Sequence, residues 1–522
     1  MKPPPPTRRR DPTHALTRKP RTTLLLALVF AAAFAGLYVS HASLLDLPYY
    51  WDEAGYFIPA ARDIYADGSF IPHSTLSNAH PPLVMTWLAL AWKLFGFRIE
   101  VARTAMLAVS ALALTGVYAL GCRVANRRVG VGAVVCTAAY PVFFAQSTLA
   151  HLDMMVAALT VWALVFYLPP EGGESDERVL VENPSARRAL CVVLSALAAL
   201  AKETALLVPV VLCGWELVCW LLSKKERLAA FICLERRPAW WSLTLLLAGL
   251  PLALWFAYHR ARTGYTLGNP EYFRYNVEST LNLARILGTV WHRLGHVTVY
   301  MNLWALTLAG LAAMLLKPRR DRQVERPRIA VPVQILVLVL VLAHVFALSV
   351  VGGAVLARYM LPVLPLVMLV WVSTLWRRVP AWPLAVALVC AAFLYRAEVN
   401  PTYSFPWEEN LAYRDFVLLH RDAARFLAEK YAGARVLTSW PATDELRNPY
   451  YGYTPRALTV VPVENFLQAE LERAAARKSD YDVALLYSSH GGLDLDEAAR
   501  LLGGRVVFEE HRKGQWVAVI EK

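Results

Sequence analysis

From Thr22 to about residue 396 the chain is a succession of long apolar runs separated by short polar stretches, and after that a different alternation sets in. Clusters of Lys and Arg punctuate the runs. They lie in the first 21 residues, at 123–128, at Arg187-Arg188, at 224–237, at 317–328 and at Arg377-Arg378. Basic loops stay on the cytoplasmic side of a membrane, so these clusters fix an expected topology. A crossing needs ~20 apolar residues. The segment 82–97 is short and contains Lys93, which predicts an outer interfacial helix rather than a span. Spans are then expected at 22–42, 101–122, 129–147 and 152–168. The stretch 189–222 reads as a hairpin of two spans turning at Lys202-Glu203 on the outer side. Further spans fall at 240–258, 296–316, 330–350, 358–376 and 380–396, with a long outer loop at 259–294. That makes eleven, and every basic cluster stays inside.

Residues 397–522 follow another pattern. ARVLTSW, ALTVVPV, YDVALLY, RVVFEEH and QWVAVIE read as short strands. LAYRDFVLLHRDAARFLAEKY, NFLQAELERAAARK and DLDEAARLL read as amphipathic helices. Alternating strands and helices predict a small α/β domain on the outer side. No glycine-rich phosphate loop follows its first strand.

Composition sharpens this reading. The 522 residues are 57% hydrophobic, with mean hydropathy +0.39, too apolar for a soluble chain of this size. The net charge of +13 is dispersed among the loops rather than gathered on one soluble face, which argues against nucleic acid as a partner. The seven cysteines sit in or beside apolar runs with no CxxC pair, so they are expected to be packing residues. The Pro-rich basic tail 1–21 is expected to be disordered and cytoplasmic, and the first apolar run to be an uncleaved helix.

With the topology set, ionisable residues collect at one boundary. The stretch YYWDEAGYF places Asp52 and Glu53 outside, within the first outer loop, 43–100. His80 precedes the interfacial helix, and Arg103 lies near the start of the second span. Asp153 opens the span at 152–168, Lys202 turns the hairpin, and Arg358 and Tyr359 open the span at 358–376. Each has an ordinary reading. The acids cap helices, His80 shapes a turn before Pro-Pro, Lys202 snorkels, Arg358 anchors a helix end, and the aromatics form an interfacial belt. Their convergence on one side carries the functional reading, because charges at that depth are costly. A carboxylate suits a general base, and cations suit a lipid phosphate at headgroup height. A phosphate departs as an anion and needs electrostatic stabilisation more than a general acid.

The ordered set of the acidic pair, HPPL, VARTAM, AYPVFFAQSTLAHLDMMVA, LAALAKETALLVPV and ARYMLPVLP resembles the GT-C superfamily of membrane glycosyltransferases. The nearest types are protein O-mannosyltransferases and lipid A aminoarabinose transferases. The resemblance covers roughly the first 400 residues. It implies a mainly α polytopic fold of about 11 membrane helices with outer juxtamembrane helices, here spanning 22–396. A small C-terminal extracytoplasmic α/β domain, 397–522, completes the chain. It also implies an inverting transfer from a polyprenyl-phosphate sugar donor to a lipid, glycan or protein acceptor outside the cytoplasmic membrane. Asp52 maps onto the proposed base, with Glu53 beside it. His80, Arg103, Asp153, Lys202, Arg358 and Tyr359 become substrate contacts, and Asp52 with Asp153 candidate ligands for a divalent cation. The Trp-Trp-Asp motif of oligosaccharyltransferases is missing, since Trp240-Trp241 is followed by Ser242. A secondary transporter, a membrane scaffold and a ligase or polymerase of lipid-linked glycans remain as alternatives.

Overall fold

The computed structural model describes residues 19–169, 180–235, 237–399, 407–489 and 492–522, with the side chains of residues 19–21 excepted. The tail expected to be disordered therefore lies, up to residue 18, outside the described residues.

Seven helical stretches are long and apolar enough to cross a membrane. They include α1 (Lys19–Ser40) and, beyond the short α2 (Ile58–Asp67) and α3 (Leu83–Phe95), the long α4 (Ile99–Val124). At 13 residues α3 is too short to cross, and it packs on α2 and α4 as the Lys93-containing segment led one to expect. Next come α5 (Arg127–Ala139) and α6 (Leu152–Tyr167). Between them Pro141 starts a separate helix, Pro141–Gln146, so the expected span at 129–147 is broken at Tyr140.

The hairpin expected over 189–222 is present. The helices α7 (Pro184–Ala201) and α8 (Leu207–Leu221) reverse at Lys202, and Arg188 of one pairs with Glu216 of the other. A stretch with 3-10 turns leads into α9 (Leu250–Thr263). The expected outer loop 259–294 is partly helical. It holds a short helix, Pro270–Asn276, and the start of α10 (Leu283–Thr298). Met301 and Asn302 take left-handed backbone angles and separate α10 from α11 (Leu303–Met314). The ribbon of β1 (Arg320–Asp321) and β2 (Val324–Glu325) leads into α12 (Val331–Val350), α13 (Leu364–Arg378) and α14 (Trp382–Glu398). The molecule is a multi-pass membrane protein by these apolar helices.

The C-terminal part opens with α15 (Ala412–Lys430) and contains β3 (Arg435–Thr438), β4 (Thr459–Pro462), α16 (Gln468–Ala476), β5 (Val483–Tyr487), α17 (Leu495–Leu502), β6 (Arg505–Arg512) and β7 (Gln515–Glu521). Its sheet runs in the order β4-β3-β5-β7-β6. The first three strands are parallel, and β7 pairs antiparallel with both β5 and β6. Every residue of β5 is buried, as befits a central strand covered on both faces. One apolar core runs through the helices and this sheet without a gap between them. All seven cysteines are free, and five are buried.

Candidate active site

The acidic pair stands on a turn forced by its neighbours. Trp51 holds φ at 45°, unusual for a bulky residue, and its ring packs edge-on against Trp440 at 4.4 Å. From there the backbone winds into the wide helical turn Glu53–Phe57. Consecutive residues on a helical turn point about 100° apart, so the two carboxylates part company.

Glu53 goes inward. It is wholly buried and accepts from Arg103 at 2.5 Å, from the Ala150 amide at 2.6 Å and from the Tyr50 amide at 3.0 Å. Arg103, also buried, donates to the carbonyls of Leu47, Pro48 and Thr148 as well. This pair pins the first loop to α4 and to the 148–150 turn. Glu53, expected as a catalytic group, and Arg103, expected as a substrate contact, both lie buried beneath Asp52, paired with each other and hydrogen-bonded to backbone.

Asp52 points outward, with 40% of its side chain exposed, and pairs with the buried guanidinium of Arg358. Arg358 sits on a 3-10 turn, Ala357–Met360, just before α13. Around it lie Glu408 at 3.3 Å, Asp153 at 3.6 Å and His151 Nδ1 at 3.0 Å. Asp153, in the first turn of α6, accepts from Lys202 at 2.7 Å. The Lys202 ammonium rests 3.9 Å from the centre of the Tyr359 ring, a cation–π contact. So Asp52, Asp153, Lys202, Arg358 and Tyr359 form one connected constellation, although 306 positions separate Asp52 from Arg358.

A cavity of about 230 Å³ adjoins this constellation. Its polar lining includes Asp153, Lys202, Glu203, Tyr272, Tyr359 and His80, whose Nδ1 is 2.9 Å from Glu203. Val156, Leu348 and Val351 are among its apolar lining. His80 thus joins the site through the cavity wall.

Several site residues were not expected. His151 lies two positions before Asp153, and its Nδ1 is 2.8 Å from Gln146 Oε1. Glu408 and Glu409 come from the segment before α15. Burial pushes the Glu408 carboxyl up to about 7, with Arg358 opposing and the Asp52 charge reinforcing the rise. Glu409 accepts from the Tyr300 hydroxyl and, at 2.5 Å, from the Ala357 amide, while burial raises it too. The signal was present in PWEEN, an acidic pair behind a tryptophan just past an apolar run, the same signature as Trp51-Asp52-Glu53.

Asp52, His151 and Glu408 bring ligand-type atoms within 4.8 Å of one another. The Arg358 guanidinium already occupies that cluster, and Lys202 neutralises Asp153. In this arrangement the two acids expected to hold a cation are paired instead with Arg358 and Lys202.

No protein-family model and no curated protein matches the sequence. Solved structures do match. The crystal structure of ArnT from Cupriavidus metallidurans bound to undecaprenyl phosphate superposes with a TM-score of 0.55 at 16% identity, covering 95% of this chain and 98% of that one. Its apo state gives 0.53 at 17% identity, covering 96% and 98%. The chain has the GT-C fold. The match extends over nearly the whole length of both proteins, so the likeness takes in the C-terminal part as well as the membrane helices.

Proposed function

We propose that the protein is an inverting glycosyltransferase. It takes a sugar from a polyprenyl-phosphate donor and passes it to a lipid, glycan or protein acceptor on the outer side of the cytoplasmic membrane. One observation carries this reading: a partly exposed carboxylate, Asp52, is held by a buried arginine next to a cavity lined by a lysine and by apolar side chains. The undecaprenyl phosphate held by the ArnT neighbour supports the donor class.

The chemistry follows from the charges. In the resting site the carboxylates neutralise Arg358 and Lys202. A donor phosphate competes for both cations and loosens Asp52 from Arg358. Asp52 then accepts the proton of the acceptor's O–H or N–H. The acceptor heteroatom bonds to the anomeric carbon from the face opposite the phosphate. The carbon–oxygen bond to phosphate breaks, and its electron pair leaves on the polyprenyl phosphate. Lys202 and Arg358 stabilise that anion as it forms, so no general acid is required. His80 and Tyr272 line the same cavity and are proposed to orient the sugar.

The test is transfer of radiolabelled sugar from a panel of polyprenyl-phosphate sugars, in membranes bearing wild type or Asp52→Asn. Label reaching an acceptor only with wild type supports the proposal and names the donor. Transfer at full rate with Asp52→Asn removes Asp52 from the mechanism. Labelled solutes crossing sealed vesicles equally with both proteins, with no transfer, would replace the enzyme by a transporter.

A further inference from the structure

The helix α13 starts just after Arg358 and ends at Arg377-Arg378. Its 15 residues span ~22 Å, most of a bilayer's hydrocarbon core. At this far end a cavity of about 180 Å³ opens between the last turns of α13, the end of α11 and the start of α12. It sits at the headgroup level of the leaflet opposite the acidic site.

Three arginines, Arg328, Arg377 and Arg378, belong to its lining, and no carboxylate does. Arg377 lies 3.6 Å from Glu325, so its charge is matched in part. Arg378 donates to the carbonyls of Met314 and Leu316, which engages its N–H groups and leaves its charge without a carboxylate. The exposed Arg328 has neither a hydrogen bond nor an ion pair among the described residues. Two of the three positive charges are therefore uncompensated.

Ser373 adds an independent signal. It is only 4% exposed and lines the cavity, yet its hydroxyl has no partner among the described residues. A hydroxyl in a helix can bond back to the carbonyl four residues earlier, as the neighbouring Thr374 does to Val370 at 2.9 Å. Ser373 does not, and an unpaired buried hydroxyl is costly, so a ligand that brings acceptor oxygens is stabilised there. The apolar approach to the cavity is α11. Leu308 and Leu311 of that helix and Leu315 just beyond it recur at helical spacing and are all exposed, and they lead to Met314 in the cavity wall.

We propose that this cavity binds the phosphate of an anionic phospholipid from that leaflet. Arg328 and Arg378 match its charge, Ser373 donates to one of its oxygens, and the acyl chains run along α11. The chemistry read by the site is a phosphate with apolar matter attached on one side.

The test uses the full chain in nanodiscs of equal phosphatidylglycerol and phosphatidylcholine, with retained lipid counted by native mass spectrometry after release into detergent. Wild type should keep phosphatidylglycerol in clear preference. Arg328→Gln, which takes no partner from the folded chain, should lower that preference about fivefold, the share of one basic residue near a headgroup. Ser373→Ala should lower it about threefold, for one hydrogen bond. Lys225→Gln, the same loss of charge at an exposed position on another loop, should leave it unchanged. Equal retention of both lipids by wild type, an unchanged preference in Arg328→Gln and Ser373→Ala, or an equal loss in the lysine control overturns the site. Displacement of the lipid by excess inorganic phosphate would show a free-anion site and overturn the lipid assignment.

Discussion

Two acidic pairs, far apart in the chain, meet at one arginine. Asp52-Glu53 follows the first membrane helix, and Glu408-Glu409 follows α14, the last helix before the C-terminal part. In each pair the first acid faces Arg358 and the second is tied into the frame. They differ in what ties them and in how wet they are. Glu53 is held by a charged partner, Arg103, whereas Glu409 has a hydroxyl and an amide. Asp52 keeps 40% of its side chain in the open, whereas Glu408 keeps 4%. A base must reach the proton that it takes, and Asp52 is open to the outside where Glu408 is enclosed. That difference supports the proposed base role of Asp52, with Glu408 proposed to fix where Arg358 stands.

The sharpest way to break this comparison is to exchange the roles. Asp52→Asn should lower transfer by ~10²–10⁴-fold, the range for a lost general base, with protein level and melting temperature kept. Glu408→Gln should lower it by only about tenfold, because the amide keeps an oxygen beside Arg358 and loses only the charge. Equal losses in the two variants, in the same radiolabel assay, would erase the distinction.

The inner members separate on stability. Arg103→Ala strands a buried carboxylate and should destabilise by ~3–5 kcal/mol, read by thermal unfolding in detergent. Glu53→Ala strands the arginine and should cost as much, while the double variant should cost less than the sum.

The third prediction concerns pH. The native Glu408 carboxyl holds its proton up to about 7, whereas a free glutamate loses it near 4.5. Between those values the native state binds more protons than the unfolded one, so this contribution is full at low pH and fades as pH rises to about 7. Glu408→Gln cannot titrate. Its melting temperature relative to wild type should therefore climb from pH 5 to pH 8, and a flat difference would contradict the raised pKa. The smallest effect is expected at Tyr300→Phe. It removes one hydrogen bond to Glu409 and should cost about 1 kcal/mol, measured by the same unfolding assay.

Much of this was legible beforehand, for identifiable reasons. Apolar length marked the seven helices long and apolar enough to cross a membrane, and short strand-like runs alternating with amphipathic helices marked all five strands of the C-terminal sheet. The reversal at Lys202 could be read because a charged pair interrupts an apolar run too long for one helix. Asp153, Lys202 and Arg358 stood out because charge at a membrane boundary is rare. What escaped the sequence depends on distant partners. Nothing local says that Glu53 turns inward, because its burial is decided by Arg103 and Ala150. Nothing local separates α10 from α11 either, since Met301 and Asn302 take left-handed angles without a glycine or proline to announce them. Glu408 fell within a segment read as belonging to a separate domain, so its route back to Arg358 was invisible.

The first loop is also finished from the far end of the chain. The Tyr49 amide donates to the Tyr451 carbonyl at 3.0 Å, the Tyr451 hydroxyl donates to the Ala54 carbonyl at 2.7 Å, and Trp440 braces Trp51. The backbone that aims Asp52 therefore has no complete set of partners until the C-terminal sheet has been synthesised and folded. A chain whose membrane helices have all left the ribosome still lacks the contacts that fix the turn at Asp52, and only the stretch from Trp440 to Tyr451 supplies them.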